Sequence, residues 1–219
     1  MNSDLNVLLV DDDQFTRTML RTLLNGLEFA SVIEAKSASE ALEISSQNKI
    51  DIAILDLDLG EGPTGIDVAH ALRRKNSQIA ILMLSTYQQP RFMGQNQLPL
   101  PAGSVYLVKN SLSDPIILLN AIELALLSED QPTRVISNLA TNHFESLSDQ
   151  QIEILRSIAA GYSNAEIAKR LWLSEAAVEK SIARLIKSLN IKAQRTQNQR
   201  VVLAQLYHQM TGAVSVRID

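Results

Sequence analysis

The chain has 219 residues, 46% of them apolar, and contains no cysteine. That length fits one large domain or two ordinary ones with a real core, and the composition excludes wholesale disorder, disulfides and thiolate metal sites. The net charge of −4 hides a split: residues 1–145 carry 10 Lys/Arg against 18 Asp/Glu, whereas residues 146–219 carry 10 against 6.

An acidic first part joined to a basic second part suggests two domains, the second facing a polyanion, although an excess this modest also arises by chance. No run approaches the ~20 apolar residues of a membrane span. The opening MNSDLNVLLVDDD lacks the basic region of a signal peptide, so a soluble, cytoplasmic protein with no membrane partner is expected.

Strand and helix signals alternate through the first part. NVLLV (6–10) is a short buried run, followed by a helical stretch over 16–25 with Leu20, Leu23 and Leu24 on one face. SVIEA (31–35) reads as a second strand, and Ser37 with Glu40 as a capping box opening a second helix. IDIAIL (50–55), IAILMLS (79–85) and SVYLV (104–108) supply three more strands, with helices over 65–74 and 114–127. Five βα steps with unbroken apolar strands predict a doubly wound, five-stranded parallel sheet of flavodoxin-like α/β type, its functional crevice at the carboxyl ends of the strands. Residues 87–103 hold three prolines and two glycines where a helix is due, which predicts a loop or a short, distorted helix.

Residues 129–144 show weak periodicity and read as a linker. Beyond them the pattern is all-helical. Ser148 and Gln151 cap a helix with Ile152, Leu155 and Ile158 on one face, stopped by Gly161. Ser163 and Glu166 open a second helix, Ser174 a third with Val178, Ile182, Leu185 and Leu189, and a fourth covers roughly 196–210. Two short helices around LWLS are a helix-turn-helix signature. The expected boundaries are 1–128, a linker over 129–144, and a four-helix domain over 145–213.

The first strand runs into Asp11, Asp12 and Asp13, and the third ends at Asp56. Neighbouring parallel strands would bring Asp11, Asp12 and Asp56 into one crevice. Carboxylates that close repel, and a hard divalent ion, Mg²⁺ by preference, relieves them. Ser85 ends the fourth strand and Lys109 follows the fifth, so a hydroxyl and an ammonium join the crevice. That set suits phosphoryl transfer to Asp56 as nucleophile. Carboxylates also suit a helix N-terminus, which is the reading for Asp13.

LLVDDD, ILDLDLG, ILMLS and VYLVK together resemble the response-regulator receiver family of two-component signalling. The resemblance implies that a sensor histidine kinase phosphorylates Asp56. It also implies that Asp12 ligates Mg²⁺ directly, Asp11 mainly through water and Asp58 through its backbone carbonyl, and that Tyr106 is the switch aromatic that turns inward when Ser85 engages the phosphoryl group. Thr86 stands where relatives usually carry a small residue, and the GEGPTG turn places its proline late.

Residues 147–191 resemble the LuxR-type helix-turn-helix that many such regulators carry. By that resemblance Ser174 starts the recognition helix for double-stranded DNA. Lys180, Arg184 and Lys187 would meet phosphates, with Lys169, Lys192 and Arg195 at the edges, and Glu179 could accept from cytosine N4. The fourth helix resembles the family's dimer element, and a homodimer is expected on phosphorylation. Two rival readings remain: a DNA-binding regulator indifferent to phosphorylation, and an aspartate-nucleophile phosphohydrolase of the Asp-x-Asp kind, whose motif lies on the first strand rather than the third.

Overall fold

The computed structural model describes residues 4–27, 29–94, 98–127, 132–136, 146–192 and 196–212. Contacts divide the chain into two units, Met1–Ser85 with Asn96–Asn138, and Thr86–Gln95 with Leu139–Asp219.

The first unit alternates β1 (Asn6–Val10), α1 (Gln14–Asn25), β2 (Ser31–Ala35), α2 (Ala38–Gln47), β3 (Ile52–Asp56), α3 (Gly65–Lys75), β4 (Ala80–Ser85), β5 (Val105–Val108), α4 (Pro115–Leu127) and β6 (Arg134–Ile136). The sheet is parallel throughout, in the order β2-β1-β3-β4-β5-β6. Unbroken Val, Ile and Leu runs suit strands covered on both faces, and every residue of β3, β4 and β5 is buried. Alternate residues Leu9, Ile54, Leu84 and Leu107 pack against Leu20 and Leu24 of α1 and Leu118 and Ile122 of α4. α2 and α3 lie along β1 and β3.

Six strands stand where five were expected. Arg134–Ile136, inside the stretch read as a linker, pairs in parallel with β5, Val105 opposite Arg134 and Leu107 opposite Ile136. Three residues carry no readable period. What makes them a strand is the unpaired edge of β5, which exists only once the sheet has formed.

Local signals set the helix starts. Asp13 caps α1 by accepting from the Phe15 and Thr16 amides. Thr64 and Asp67 form a reciprocal box at α3. Ser37 caps α2, but Glu40 reaches one residue further back, to the Lys36 amide, so the expected box there is half made. Gly65 has a different task. Its amide donates to the Leu57 carbonyl at 3.0 Å, and an added Cβ would lie 1.9 Å from the Asp56 carbonyl oxygen. Only a residue without a side chain lets α3 start this close to the tip of β3.

The second unit holds α5 (Asp149–Ala159), α6 (Asn164–Arg170), α7 (Glu175–Ser188) and α8 (Gln199–Thr211), preceded in sequence by a single 3-10 turn at Pro90–Phe92. That turn is all the helix the Pro-rich stretch forms among its described residues. Ser148 and Gln151 make the expected box at α5. Gly161, at φ 84, ends it, with the Gly161 amide bonded to Ile158 and that of Tyr162 to Ser157, the paired bonds of a Schellman stop. Ile152, Leu155, Ile167, Val178, Leu185 and Leu203 share one core.

Gly65→Ala is expected to destabilise the first unit by roughly 3 kcal/mol or more, because backbone must shift to admit the methyl group. Urea unfolding followed by circular dichroism measures it, and a loss under about 1 kcal/mol would contradict the close approach.

Candidate functional site

The register of the sheet builds the first site. Val10 pairs with Leu55, so the residues that follow, Asp11 and Asp56, leave adjacent strand tips together. Asp56 lies opposite Leu84, which places Ser85 one residue beyond it on β4, and Ser85 in turn pairs with Val108. Lys109 comes next. Its Nζ lies 2.8 Å from Asp11 Oδ2 and 2.9 Å from Asp56 Oδ2, one ammonium bridging two carboxylates. Asp11 is fully buried and Asp56 only 7% exposed, while Asp12 is exposed. Arg17, one turn into α1, donates to the carbonyls of Asp11 at 2.7 Å and Asp12 at 3.0 Å and so fixes the backbone that presents them. Nothing in the sequence motif singled out Arg17; its helical offset from the strand tip is the signal that could have.

Burial pushes the Asp56 carboxyl up to about 6; Lys109 opposes that shift, while Asp11 and Asp12 add to it. Burial works against the charge on Lys109 too, yet Asp56 and Asp11 outweigh it and raise the ammonium pKa. Asp56 is thus an acid whose ionised form is held by a single cation against two neighbouring acids. The donor set fits a hard divalent ion. Asp11, Asp12 and Asp56 each offer an oxygen within 4.8 Å of the others, and an octahedral Mg²⁺ with ligands near 2.1 Å spaces its donors about 3 to 4 Å apart.

The remaining expected residues take simple places. Ser85 is buried at the tip of β4, and Tyr106 is fully buried on β5 opposite Met83. The Asp58 side chain is exposed and accepts from the Gly60 amide at 3.2 Å, closing its own turn. The acid/base partner of an Asp-x-Asp hydrolase would have to be that carboxylate.

The second site is the outer face of α7. Ser174 caps it through the Ala177 amide. Val178 and Leu185 are buried, whereas Glu179, Lys180, Ala183, Arg184 and Lys187 are exposed, as the helical period requires. Lys169 at the end of α6 and Lys192 are also exposed. Arg195 lies outside the described residues. Between α6 and α7, Trp172 is 93% exposed and sits at φ 55, a conformation that costs a bulky side chain about 1–2 kcal/mol. The LWLS signature marked the turn but gave no sign that the tryptophan faces outward.

Comparison with known proteins matches residues 7–114 to the family described as "Response regulator receiver domain" and residues 145–202 to "Bacterial regulatory proteins, luxR family". A "Nitrate/nitrite response regulator protein homolog" of Haemophilus influenzae is 31% identical, over 87% of this chain and 93% of its own. The "Nitrate/nitrite response regulator protein NarP" of Escherichia coli is 30% identical, over 94% and 96%. Among solved structures, RcsB from Salmonella enterica serovar Typhimurium bound to promoter rprA superposes with a TM-score of 0.57 at 19% identity, over 95% of this chain and all of that one, a likeness of fold.

Between its ordinary 3.8 and about 6, Asp56 binds its proton more tightly in the folded chain than in the unfolded one. Without divalent ions, its contribution to stability therefore falls as pH climbs through that window, by about 2–3 kcal/mol in all, and the loss persists at neutral pH. Asp56→Asn is expected to flatten that slope and to be the more stable chain at neutral pH, with millimolar Mg²⁺ narrowing the gap. Urea midpoints of both chains on either side of the window check it; equal slopes would overturn the assignment.

Proposed function

This chain belongs to the DNA-binding response regulators of two-component systems, which join a receiver domain to a LuxR-type helix-turn-helix, and on that premise we propose that phosphorylation of Asp56 governs its binding to DNA. The observation that carries the reading is the Lys109 ammonium set between Asp11 and Asp56 beside Asp12. Receiver chemistry is assigned to 1–128 and DNA binding to 145–213.

In the proposed transfer an Asp56 carboxylate oxygen attacks the phosphorus of a sensor histidine kinase's phosphohistidine. The new P–O bond forms as the P–N bond breaks, and the departing imidazole takes up a proton. Asp56 must be ionised to attack, and above a pKa of about 6 most of it is. Lys109 already faces that carboxylate and can turn to the phosphoryl oxygens, where its charge offsets theirs. Ser85, at the adjacent tip, donates its hydroxyl to one of them, and Tyr106, which is fully buried, is the proposed switch aromatic. Asp11, Asp12, Asp56 and the backbone carbonyl of Asp58 would hold Mg²⁺, which when bound supplies neutralising charge at the attacked group.

On the output side, Lys180, Arg184 and Lys187 form a basic stripe at helical spacing for DNA phosphates, with Lys169 and Lys192 flanking it and Glu179 free to face a base edge. Two copies, joined through α8, would set their recognition helices about 10 base pairs apart. Val201 on α8 is 52% exposed, which leaves an apolar group for that contact. A protein that takes its phosphate from a kinase and reads chromosomal DNA works in the cytoplasm.

Intact mass after incubation with Mg²⁺ and acetyl phosphate is expected to show one added phosphoryl group on the wild type and none on Asp56→Asn; label on the variant refutes the acceptor. DNA affinity is expected to fall steeply with salt. Changing Lys180, Arg184 or Lys187 to alanine should each lower the log–log slope by about 1. Unchanged slopes would reject these residues as phosphate contacts.

A further inference from the structure

The chain leaving β4 does not stay with the sheet. One peptide bond after Ser85, Thr86 begins the stretch Thr86–Gln95, which groups with the helical unit. Within that unit the Phe92 ring is 1% exposed, sits in the core shared by Leu155, Val178 and Leu203, and meets Tyr207 edge-on with ring centres 6.4 Å apart. Backbone and side chains tie the stretch to two helix ends. At the C-terminus of α8 the Gln88 amide donates to the Met210 carbonyl at 2.8 Å, and Gly212, at φ 69, approaches so near that an added Cβ would lie 2.7 Å from that of Thr86. At the start of α5, Arg91 donates to the Leu147 carbonyl at 2.9 Å and to Asp149 Oδ1 at 3.3 Å. Arg156, from the last turn of α5, donates to the Phe92 carbonyl at 3.0 Å.

Connections between strands ordinarily run over the surface. This one places its aromatic residue in the core of another unit. We propose that Thr86–Gln95 is a signal arm. It is a structural member of the DNA-binding unit that starts one residue after the phosphate-sensing hydroxyl of Ser85, so that engagement of Ser85 reaches α5 and α8 through the chain itself. The transmission rests on the reading of Asp56 above; the arm's membership in the helical core does not. Little slack intervenes, since only Thr86 and Tyr87 separate Ser85 from the anchored Gln88, about 10 Å of chain at full extension. A shift of Ser85 toward a phosphoryl group must then be taken up by Gln88 and the α8 terminus it holds. Val178 and Leu185, on the inner side of the recognition helix, share the core that Phe92 enters.

The test uses the full-length chain and a DNA duplex that the wild type selects from a random pool. A Gly-Ser-Gly spacer inserted between Ser85 and Thr86 leaves the residues of both units in place and slackens the arm. Labelling by acetyl phosphate with Mg²⁺ is expected to match the wild type, as is DNA affinity without phosphodonor. The gain in affinity on labelling, about tenfold in the wild type, should fall below about twofold. A spacer variant that keeps the wild-type gain, or a labelled wild type that shows none, overturns the transmission. Membership in the core is read separately. Phe92→Ala should cost amides of α5 and α8 about 100-fold in hydrogen-exchange protection while leaving β1 and β3 unchanged, and the milder Arg91→Ala should show a smaller loss in the same helices. Unaltered protection in both variants refutes the arm. A wild type that takes no phosphoryl group removes the Asp56 reading and the transmission with it, and the exchange data then decide the core role by themselves.

Discussion

One ammonium group holds the receiver site together. Lys109 is mostly buried, and it offsets two carboxylates that the sheet forces into the same low-dielectric place. Taking that ammonium away would leave two buried carboxylates uncompensated, a penalty of about 3–5 kcal/mol. The arrangement is also poised rather than relaxed. Burial and the neighbouring acids keep Asp56 near 6 in spite of the cation, so an ion or a phosphoryl group arriving at the site meets a carboxylate whose charge is only partly satisfied. Structural salt bridges of equal length elsewhere in the chain, such as Lys49 with Asp51, sit at the surface and carry no such tension.

Everything that makes this pocket possible follows from the parallel sheet. Strands covered on both faces must be apolar along their length, which leaves their carboxyl tips as the place where polar side chains can gather. The β1–β3 register then decides which residues meet, and Gly65 lets α3 begin against the very carbonyl of Asp56. Arg17 completes the frame by gripping the backbone of Asp11 and Asp12 from α1. The helical unit obeys the same economy on a smaller scale: α7 turns Val178 and Leu185 inward to the core and is thereby obliged to turn Lys180, Arg184 and Lys187 outward.

The Pro-rich connection shows how one local constraint can redirect an architecture. Among the described residues of this stretch, Pro90 supports a single 3-10 turn. A receiver with a helix there would cover its own sheet with it. Here the stretch supplies Phe92, Gln88 and Arg91 to the helices that follow α4 in sequence, and Phe92 becomes part of their core. Domain boundaries drawn as contiguous ranges cannot express this, because composition and periodicity report what a segment is unable to form but not what it packs against.

Apart from Arg134–Ile136, strand and helix positions were legible in the sequence to within about three residues, because continuous apolar runs and capping residues act locally. The meeting of Asp11, Asp12, Asp56 and Lys109 was legible too, since strand order in such a sheet places those tips together. Other features were not. Arg134–Ile136 becomes a strand only because β5 offers an edge, Arg17 acquires its role only through the path of α1, and Trp172 shows its exposure only in the folded turn. The sequence by itself determined which groups stand at the strand tips and the charge on α7, because residue identity and period settle both. The tertiary structure alone decided that sixth strand, the company of Phe92 and the raised pKa of Asp56, because pairing, packing and desolvation depend on groups far apart along the chain.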